Sequence, residues 1–324
     1  MTDYREADFS RLKTVPIAQR SNKVDPSLLA QAPPPGRDKS FAAFWGSLPD
    51  ILAAKDLRYV AERIAAAAGR RAVVVMIGGH VVKVGLGPLL RELVARGVIT
   101  HLALNGSAAI HDFELAAYGG TSEDVAAGLS DGTFGMAEET GRDMNAAISE
   151  GAGAGRGMGE ALAAGLQRRG TLAAPAASVL LAAADRGIPV TVHVTVGADI
   201  IHQHPTADGA ALGATTLRDF KRLAASLPAL DDGGVVLNLG SAVVMPEVFL
   251  KALTVARNLN AGKPTAFTAC DCDMQRHYRP RMNVVERPTL AGGRGIQLTG
   301  HHEILIPLLC WAVLERLDGR EWPR

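Results

Sequence analysis

The 324-residue chain has little cysteine, few aromatic residues and no excess of either charge. Its three cysteines are Cys270, Cys272 and Cys310. An odd, low number supplies no disulfide framework and points to a reducing compartment. Lys plus Arg number 34 and Asp plus Glu 33, which removes the electrostatic case for nucleic acid or an anionic membrane as partner. No uninterrupted apolar run reaches the ~18 residues of a membrane span. The opening MTDYREADFSRLKTVP is charged and has no apolar core of a secretion signal. The expectation is a soluble, cytoplasmic protein. With aromatics at 5% of the chain, the core must come from small and β-branched residues, which suits close helix–sheet packing.

Hydrophobic residues make up 48% of the chain, enough for a large buried core. Residues 1–40 read as a polar arm, flexible or draped on the surface, in which Pro33, Pro34 and Pro35 favour an extended path. An arm lying on a neighbouring subunit is the alternative. From Phe41 the apolar spacing becomes helical, and then strands and helices alternate. The runs RRAVVVMIGG, VITHLALNG, IPVTVHVTVG, GGVVLNLGS and KPTAFTACD read as five strands. GPLLRELVARG, SVLLAAADRG, PEVFLKALTVARNL and HEILIPLLCWAVLERL read as helices. The expected fold is α/β, a Rossmann-like, mostly parallel sheet with helices on both faces, in one domain over 41–324. Residues 107–170 are less regular and read as an insertion of short helices and loops.

Ligands of open parallel sheets bind beyond the carboxyl ends of the strands, and there the polar residues collect. The first strand is followed by Gly78, Gly79, His80 and Lys83, the second by Asn105, Gly106, Ser107, His111 and Asp112. The third leads to Gly197, Asp199, His202 and His204, the fourth to Asn238, Gly240, Ser241, Glu247 and Lys251. The fifth leads to Asp271, Asp273, His277 and Arg279. Any one of these residues is equally well a turn glycine or a hydrogen-bonded loop histidine; five polar ends in register point to a pocket. Glycines there would let a ligand approach the backbone. His101 and His193 lie inside strands and read as buried structural residues. His301 and His302 sit where the closing helix starts and read as helix caps.

GAGAGRGMG (151–159) does not meet the G-x-G-x-x-G spacing and follows a helical segment, so it reads as a flexible loop or lid. MAEETG offers Glu138 and Glu139 as polar substrate contacts, or as a solvated helix face. His202-Gln203-His204, with Asp199 and Asp271 or Asp273, admits a hydrolytic metal site as an alternative. Metal hydrolases with this pair place it near the chain start, and Cys270-x-Cys272 is too close for a zinc knuckle.

GPLLRELVARGVITHLALNGSAAIHDFE, IPVTVHVTVGADIIHQH and VVLNLGSAVVMPEVFLKA resemble, in this order, three segments of deoxyhypusine synthases. NGSAAIHDFE is closer to a related domain with ornithine cyclodeaminase activity. The resemblance covers roughly residues 70–290. It implies NAD at the strand ends, usually in a homotetramer with sites between subunits. Gly78, Gly79, Asn105, Gly106, Ser107 and Asp112 would then face NAD, with His80, Gly240 and Ser241 beside them. Asp199, Asp271 and Asp273 would border its nicotinamide or ribose side. Glu138, Glu139, Glu247, His277 and Arg279 would meet the substrate. The synthases use a lysine in a Trp-Gly-Lys motif, whereas the matching HYRPRMNVVERP (277–288) has neither lysine nor tryptophan. The expectation is therefore an NAD enzyme of this type that does not perform authentic deoxyhypusine synthesis. His111, His202 and His204 would move protons, Asp199 would orient one of them or hold an ammonium, and Lys83 or Lys251 would bind an anion or act as nucleophile. A non-catalytic NAD sensor is a further alternative.

Overall fold

Val73–Ile77 (β1) is five apolar, mostly β-branched residues, and all five are buried. A strand buried on both faces must lie inside a parallel sheet with helices above and below. In the computed structural model, which describes residues 4–32, 36 and 39–319, β1 pairs in parallel with His101–Asn105 (β2) on one side and Val235–Leu239 (β4) on the other. Val190–His193 (β3) extends the β2 side, and Thr268–Asp273 (β5) and Arg294–Thr299 (β6) extend the β4 side. All pairings are parallel and the order is β3-β2-β1-β4-β5-β6. This is the doubly wound order of dinucleotide-binding sheets, whose direction of winding reverses between β1 and β4.

The sixth strand is absent from the sequence expectation. In RGIQLT only Ile296 and Leu298 are buried, because β6 is an edge strand. It therefore alternates where β1, β4 and β5 are buried along their whole length.

The helices follow from the winding. Phe41–Ser47 (α1) and Leu52–Ala67 (α2) precede the sheet; Gly79–Lys83 (α3) and Gly87–Ala95 (α4) join β1 to β2. Gly106–Tyr118 (α5), Val125–Asp131 (α6), Glu138–Gly153 (α7), Met158–Arg168 (α8) and Val179–Arg186 (α9) lie between β2 and β3. Residues 107–170 are thus mostly helical. Gly209–Ser226 (α10) and Val244–Leu259 (α11) cross to the other face. Tyr278–Pro280 (α12), a π-helical turn Arg281–Glu286 and Arg287–Thr289 (α13) connect β5 to β6, and His302–Leu317 (α14) closes the chain. One apolar layer joins α2, α4, α5, α8, α9 and α14 to the sheet; a second joins α10, α11 and the π-helical turn. No helix among the described residues is long and apolar enough to cross a membrane. Pro33, Pro34 and Pro35 lie outside the described residues. The arm over residues 4–27 is exposed throughout, with short turns capped by Asp8 and Asp25. It is tied back where Gln31 N donates to Ser47 O and Asp50 N to Leu28 O, at 2.9 and 3.1 Å.

The glycine-rich 151–159 is not a lid. It is the junction of α7 and α8, and Gly151, Gly157 and Gly159 sit where a Cβ would meet a neighbour. A Cβ on Gly159 would stand 2.2 Å from the Val190 carbonyl oxygen, and one on Gly157 1.7 Å from Asp219 Oδ1. Asp219 Oδ2 accepts from Gly159 N and Val192 N at 2.9 and 2.8 Å, stapling α8 to β3. His101 and His193 are buried, and both share the Thr191 hydroxyl at 3.0 Å.

Two predictions follow from this junction. Gly159→Ala should destabilise by roughly 1–3 kcal/mol, the usual cost of overpacking, read as a lower urea midpoint. Burial pushes the Asp219 carboxyl up to about 7, against the opposing pull of its two backbone N–H donors. A carboxyl raised by folding contributes stability below its unfolded value, and that contribution is lost as pH rises through the folded one. Relative to Asp219→Asn, the wild type should therefore lose stability between about pH 4 and 7. Buried His101, held down to about 3 by burial, is present in both chains and cancels in that difference.

Candidate functional site

Asn105, the last residue of β2, starts α5 without a linker, because its Oδ1 accepts from Ala108 N at 2.8 Å. That register sets what the helix presents. Ser107, His111 and Glu114, one helical turn apart, face a cavity of about 770 Å3 at the carboxyl ends of β1, β2 and β3. Such a volume is typical of small-molecule and cofactor sites. Asp112 faces the opposite way. It is fully buried and accepts from the Ser178 hydroxyl and Val179 N, at 2.6 and 2.7 Å, so it anchors the start of α9. The sequence expectation that Asp112 faces NAD is corrected accordingly.

Inside the cavity His111 Nδ1 lies 2.6 Å from Thr121 Oγ1. Thr121 Oγ1 in turn donates to Glu114 Oε2 at 2.5 Å, and Thr140 Oγ1 donates to Glu114 Oε1 at 2.9 Å. Burial, and then the neighbouring Lys83 cation, hold the His111 ring down to about 4, so it is neutral near pH 7. Asp199 closes the β3 side. Its carboxylate fills the space a Cβ on Gly106 would take, 2.0 Å from Oδ2. Burial pushes it up to about 6, and Oδ2 is buried without a hydrogen-bond partner. Glu123 and Glu139 also line the cavity, and Lys83 is its sole Lys or Arg. Glu138, one residue from Glu139, is exposed and 3.5 Å from Arg142, on the solvent side of α7.

The two histidines of His202-Gln203-His204 do not act as a pair. His202 Nδ1 accepts from Gly197 N at 3.2 Å, while His204 Nδ1 meets Thr206 Oγ1 at 2.8 Å. The His204 ring packs on Gly141 of α7, where an added Cβ would stand 2.4 Å from its Cγ. Gln203 binds the Phe134 carbonyl at 2.8 Å. The segment is therefore a wall that holds the 134–141 stretch against the cavity. Among the described residues no group of three His, Cys, Asp or Glu side chains is placed to share a metal ion.

A second polar group sits across the winding reversal, at the ends of β1, β4 and β5. Gly240, at φ +65°, passes so close to β1 that a Cβ on Gly78 would lie 2.1 Å from its carbonyl oxygen. A Cβ on Gly79 would strike Ser107 Oγ at 2.2 Å. Gly78 is thus required for chain-to-chain packing and Gly79 lies against a side chain, roles the expected ligand approach did not include. His302 fills the space beside Gly240, 5.3 Å ring to ring from His80, with Nε2 3.7 Å from Asp273 Oδ1. It is buried, with the Cys272 backbone and the Asp273 carboxylate as its polar neighbours. It is not a helix cap, and the exposed His301 makes no capping bond either. Asn238 Nδ2 binds Asp271 Oδ1 at 2.8 Å and the Ser241 carbonyl at 2.9 Å, beneath this group. Burial pushes Asp271 up to about 6.

Other expected residues lie elsewhere. Lys251 is exposed and its ammonium is paired with Glu247 on α11. Glu247 also takes Asn283 Nδ2 at 2.9 Å and lies 3.3 Å from Arg279 Nε. His277 is half-buried at the start of α12. The structure therefore brings Lys83, Ser107, His111, Glu139 and Asp199 together, and sets His80, Asp273 and Ser241 nearby at the reversal. Lys251, Glu247 and Arg279 form a separate surface cluster. Sequence reasoning missed Glu114, Thr121 and Thr140. Glu114 was legible as the residue one turn beyond His111, whereas Thr121 and Thr140 are brought in by the fold. The 277–288 segment precedes the sixth strand, and no lysine follows that strand either.

No family model matches the chain, and no curated protein matches it. Solved structures do. A conserved LOR/SDH-type protein of Methanococcus maripaludis S2 is 17% identical with a TM-score of 0.47, over 89% of this chain and 74% of that one. AgrE, solved as a ternary complex with ornithine and NAD+, is 14% identical with a TM-score of 0.49, over 81% of this chain. This chain spans only 33% of the length of AgrE. A candidate deoxyhypusine synthase of Entamoeba histolytica is 10% identical with a TM-score of 0.49, over 83% of this chain and 92% of that one.

Proposed function

We propose that this chain is an NAD-dependent enzyme acting on a small polar substrate of the amine or amino-acid type, at a carbon bearing nitrogen or oxygen. The observation that carries the reading is the about 770 Å3 cavity at the carboxyl ends of a sheet in dinucleotide-binding order. The residues present fit a dinucleotide. The buried Asn238 Oδ1 has no hydrogen-bond partner among the described residues at the β1–β4 reversal, and Lys83 offers a cation for an anionic group at the cavity. Ser107, His80, Gly240, Ser241 and Asp273 would hold the cofactor together with them. Bound NAD supplies a hydride acceptor.

The chain's own groups account for the rest. Asp199, Glu114, Glu123 and Glu139 outnumber the single lysine, so the cavity favours a cationic ligand such as an ammonium. A cation against Asp199 relieves the burial that raises its carboxyl. The neutral His111 ring is free to take a proton. A homotetramer belongs to the same reading; the large apolar side chains exposed along the arm, among them Phe9, Leu12, Val15 and Ile17, are consistent with burial against other subunits.

Denaturing the purified protein and analysing the released small molecules tests the proposal. NAD without stoichiometric metal is expected; stoichiometric zinc with no nucleotide would sink it in favour of a metal hydrolase. Bound NAD that stays oxidised with a panel of polyamines and amino acids would favour a sensor. Asp199→Asn should weaken binding of cationic amines more than of their neutral analogues, by calorimetric titration. The same variant should also gain stability over wild type as pH rises through about 6, because the wild-type carboxyl must ionise while buried. Equal stability differences at about pH 5 and 8 would contradict this.

A further inference from the structure

The hydrogen bonds around His111 fix a tautomer. Thr121 has one hydroxyl proton, and at 2.5 Å from Glu114 Oε2 that proton lies between the two oxygens, donated to the carboxylate. Its oxygen, 2.6 Å from His111 Nδ1, is then left to accept. Nδ1 must carry the ring proton, and Nε2 is left with a bare lone pair. The reverse arrangement, with Thr121 donating to the ring, would leave the Glu114 carboxylate against the Thr121 oxygen with no proton between them. Glu114 is itself held from a second side by Thr140 Oγ1 at 2.9 Å. Three elements therefore converge on one ring: α5 supplies His111 and Glu114, the loop after it Thr121, and the first turn of α7 Thr140.

We propose that Thr121 and Glu114 are positioning residues that hold His111 as the proton acceptor of the cavity, with its proton on Nδ1 and Nε2 bare. This inference rests on the proposed function for its substrate but not for its geometry. In the step it assigns, a substrate N–H or O–H bond breaks, an Nε2–H bond forms, and the electron pair stays on the substrate heteroatom. The substrate loses one unit of positive charge and the imidazole gains it, while Thr121 keeps accepting from Nδ1–H and donating its own hydroxyl proton to the Glu114 carboxylate. A positioned base of this kind contributes on the order of 10²–10⁴-fold to rate.

The charged and titratable groups lining the same cavity set its pH response: Lys83 from α3, Glu114 and Tyr118 on the same helix, Glu123 from the following loop, Glu139 from α7 and Asp199 from the β3 loop. Lys83 is one of the two causes that hold the ring down. An anionic group bound at Lys83 would therefore strengthen His111 as a base, which couples occupancy of one part of the cavity to chemistry in another.

Long-range proton–nitrogen spectra of the isotope-labelled histidines test the positioning without any substrate. Wild type near pH 7 should show His111 protonated on Nδ1. Thr121→Val should move a large share of the ring to the Nε2–H form, and Thr121→Ser should restore the wild-type pattern. A wild-type ring protonated on Nε2, or no response to Thr121→Val, would overturn the positioning whatever the reaction. With NAD and an amine substrate, Thr121→Val should lower kcat on the order of 10²-fold with KM within a few-fold, and Thr121→Ser should recover it. NAD release without any turnover by wild type would overturn the proton-acceptor role together with the proposed reaction, and would leave the tautomer result standing.

Discussion

The site depends on one short contact, the Asn105 side chain closing the first turn of α5 at 2.8 Å. Because the cap is also the last residue of β2, the helix has no freedom to rotate or slide relative to the strand. A side-chain cap of this kind stabilises by only about 1 kcal/mol, but its consequence is geometric. It places Ser107, His111 and Glu114 on the cavity side and commits Asp112 to the buried side, where it holds the start of α9. The same register lets Gly106 receive the Asp199 carboxylate at a distance no other residue would allow.

The glycines at the strand ends show how a correct location can carry an incomplete role. Sequence reasoning placed Gly78, Gly79, Gly106 and Gly240 at the carboxyl ends, and the structure has them there. Each faces another part of the chain: the Gly240 carbonyl, the Ser107 hydroxyl, Asp199 and His302 respectively. These glycines let the turns after the strands pass close to one another, and the polar side chains there are thereby drawn into one layer. A dinucleotide meets that layer, in the proposed reading, through side chains as well as backbone.

Much of the fold is legible because inner parallel strands are buried on both faces and dominated by aliphatic residues. β1, β2 and β4 have that pattern, broken only by His101, Asn105 and Asn238. β6 does not, since an edge strand alternates and RGIQLT has only two buried apolar residues. The glycine-rich junction of α7 and α8 was misread because composition alone does not distinguish a mobile loop from a tight crossing. What decides it is Asp219, some sixty residues later, whose carboxylate occupies the space beside Gly157 and accepts from Gly159 N. The paired look of His202 and His204 misled for a related reason. Residues two apart face the same way only in an extended strand, and this stretch is a 3-10 turn that sends each ring to its own partner.

The cavity contains two groups pushed in opposite directions by the same cause. Burial lowers His111 to about 4 and raises Asp199 to about 6, since it disfavours the charged form of each. Pairs of titratable groups moved in this way mark places where one group is prepared to take charge from a ligand and the other to meet it. Asp199 has an unpartnered oxygen and gains by meeting a cation; His111, held down to about 4, is too weak a base to take a proton from a resting ammonium. In the proposed reading an amine therefore meets Asp199 first, as a cation, and gives its N–H proton to His111 only as the carbon beside it is oxidised and that N–H becomes acidic. A neutral or anionic substrate would leave Asp199 without its cation, so in that reading the acidic lining and the His111 tautomer point to the same class of substrate.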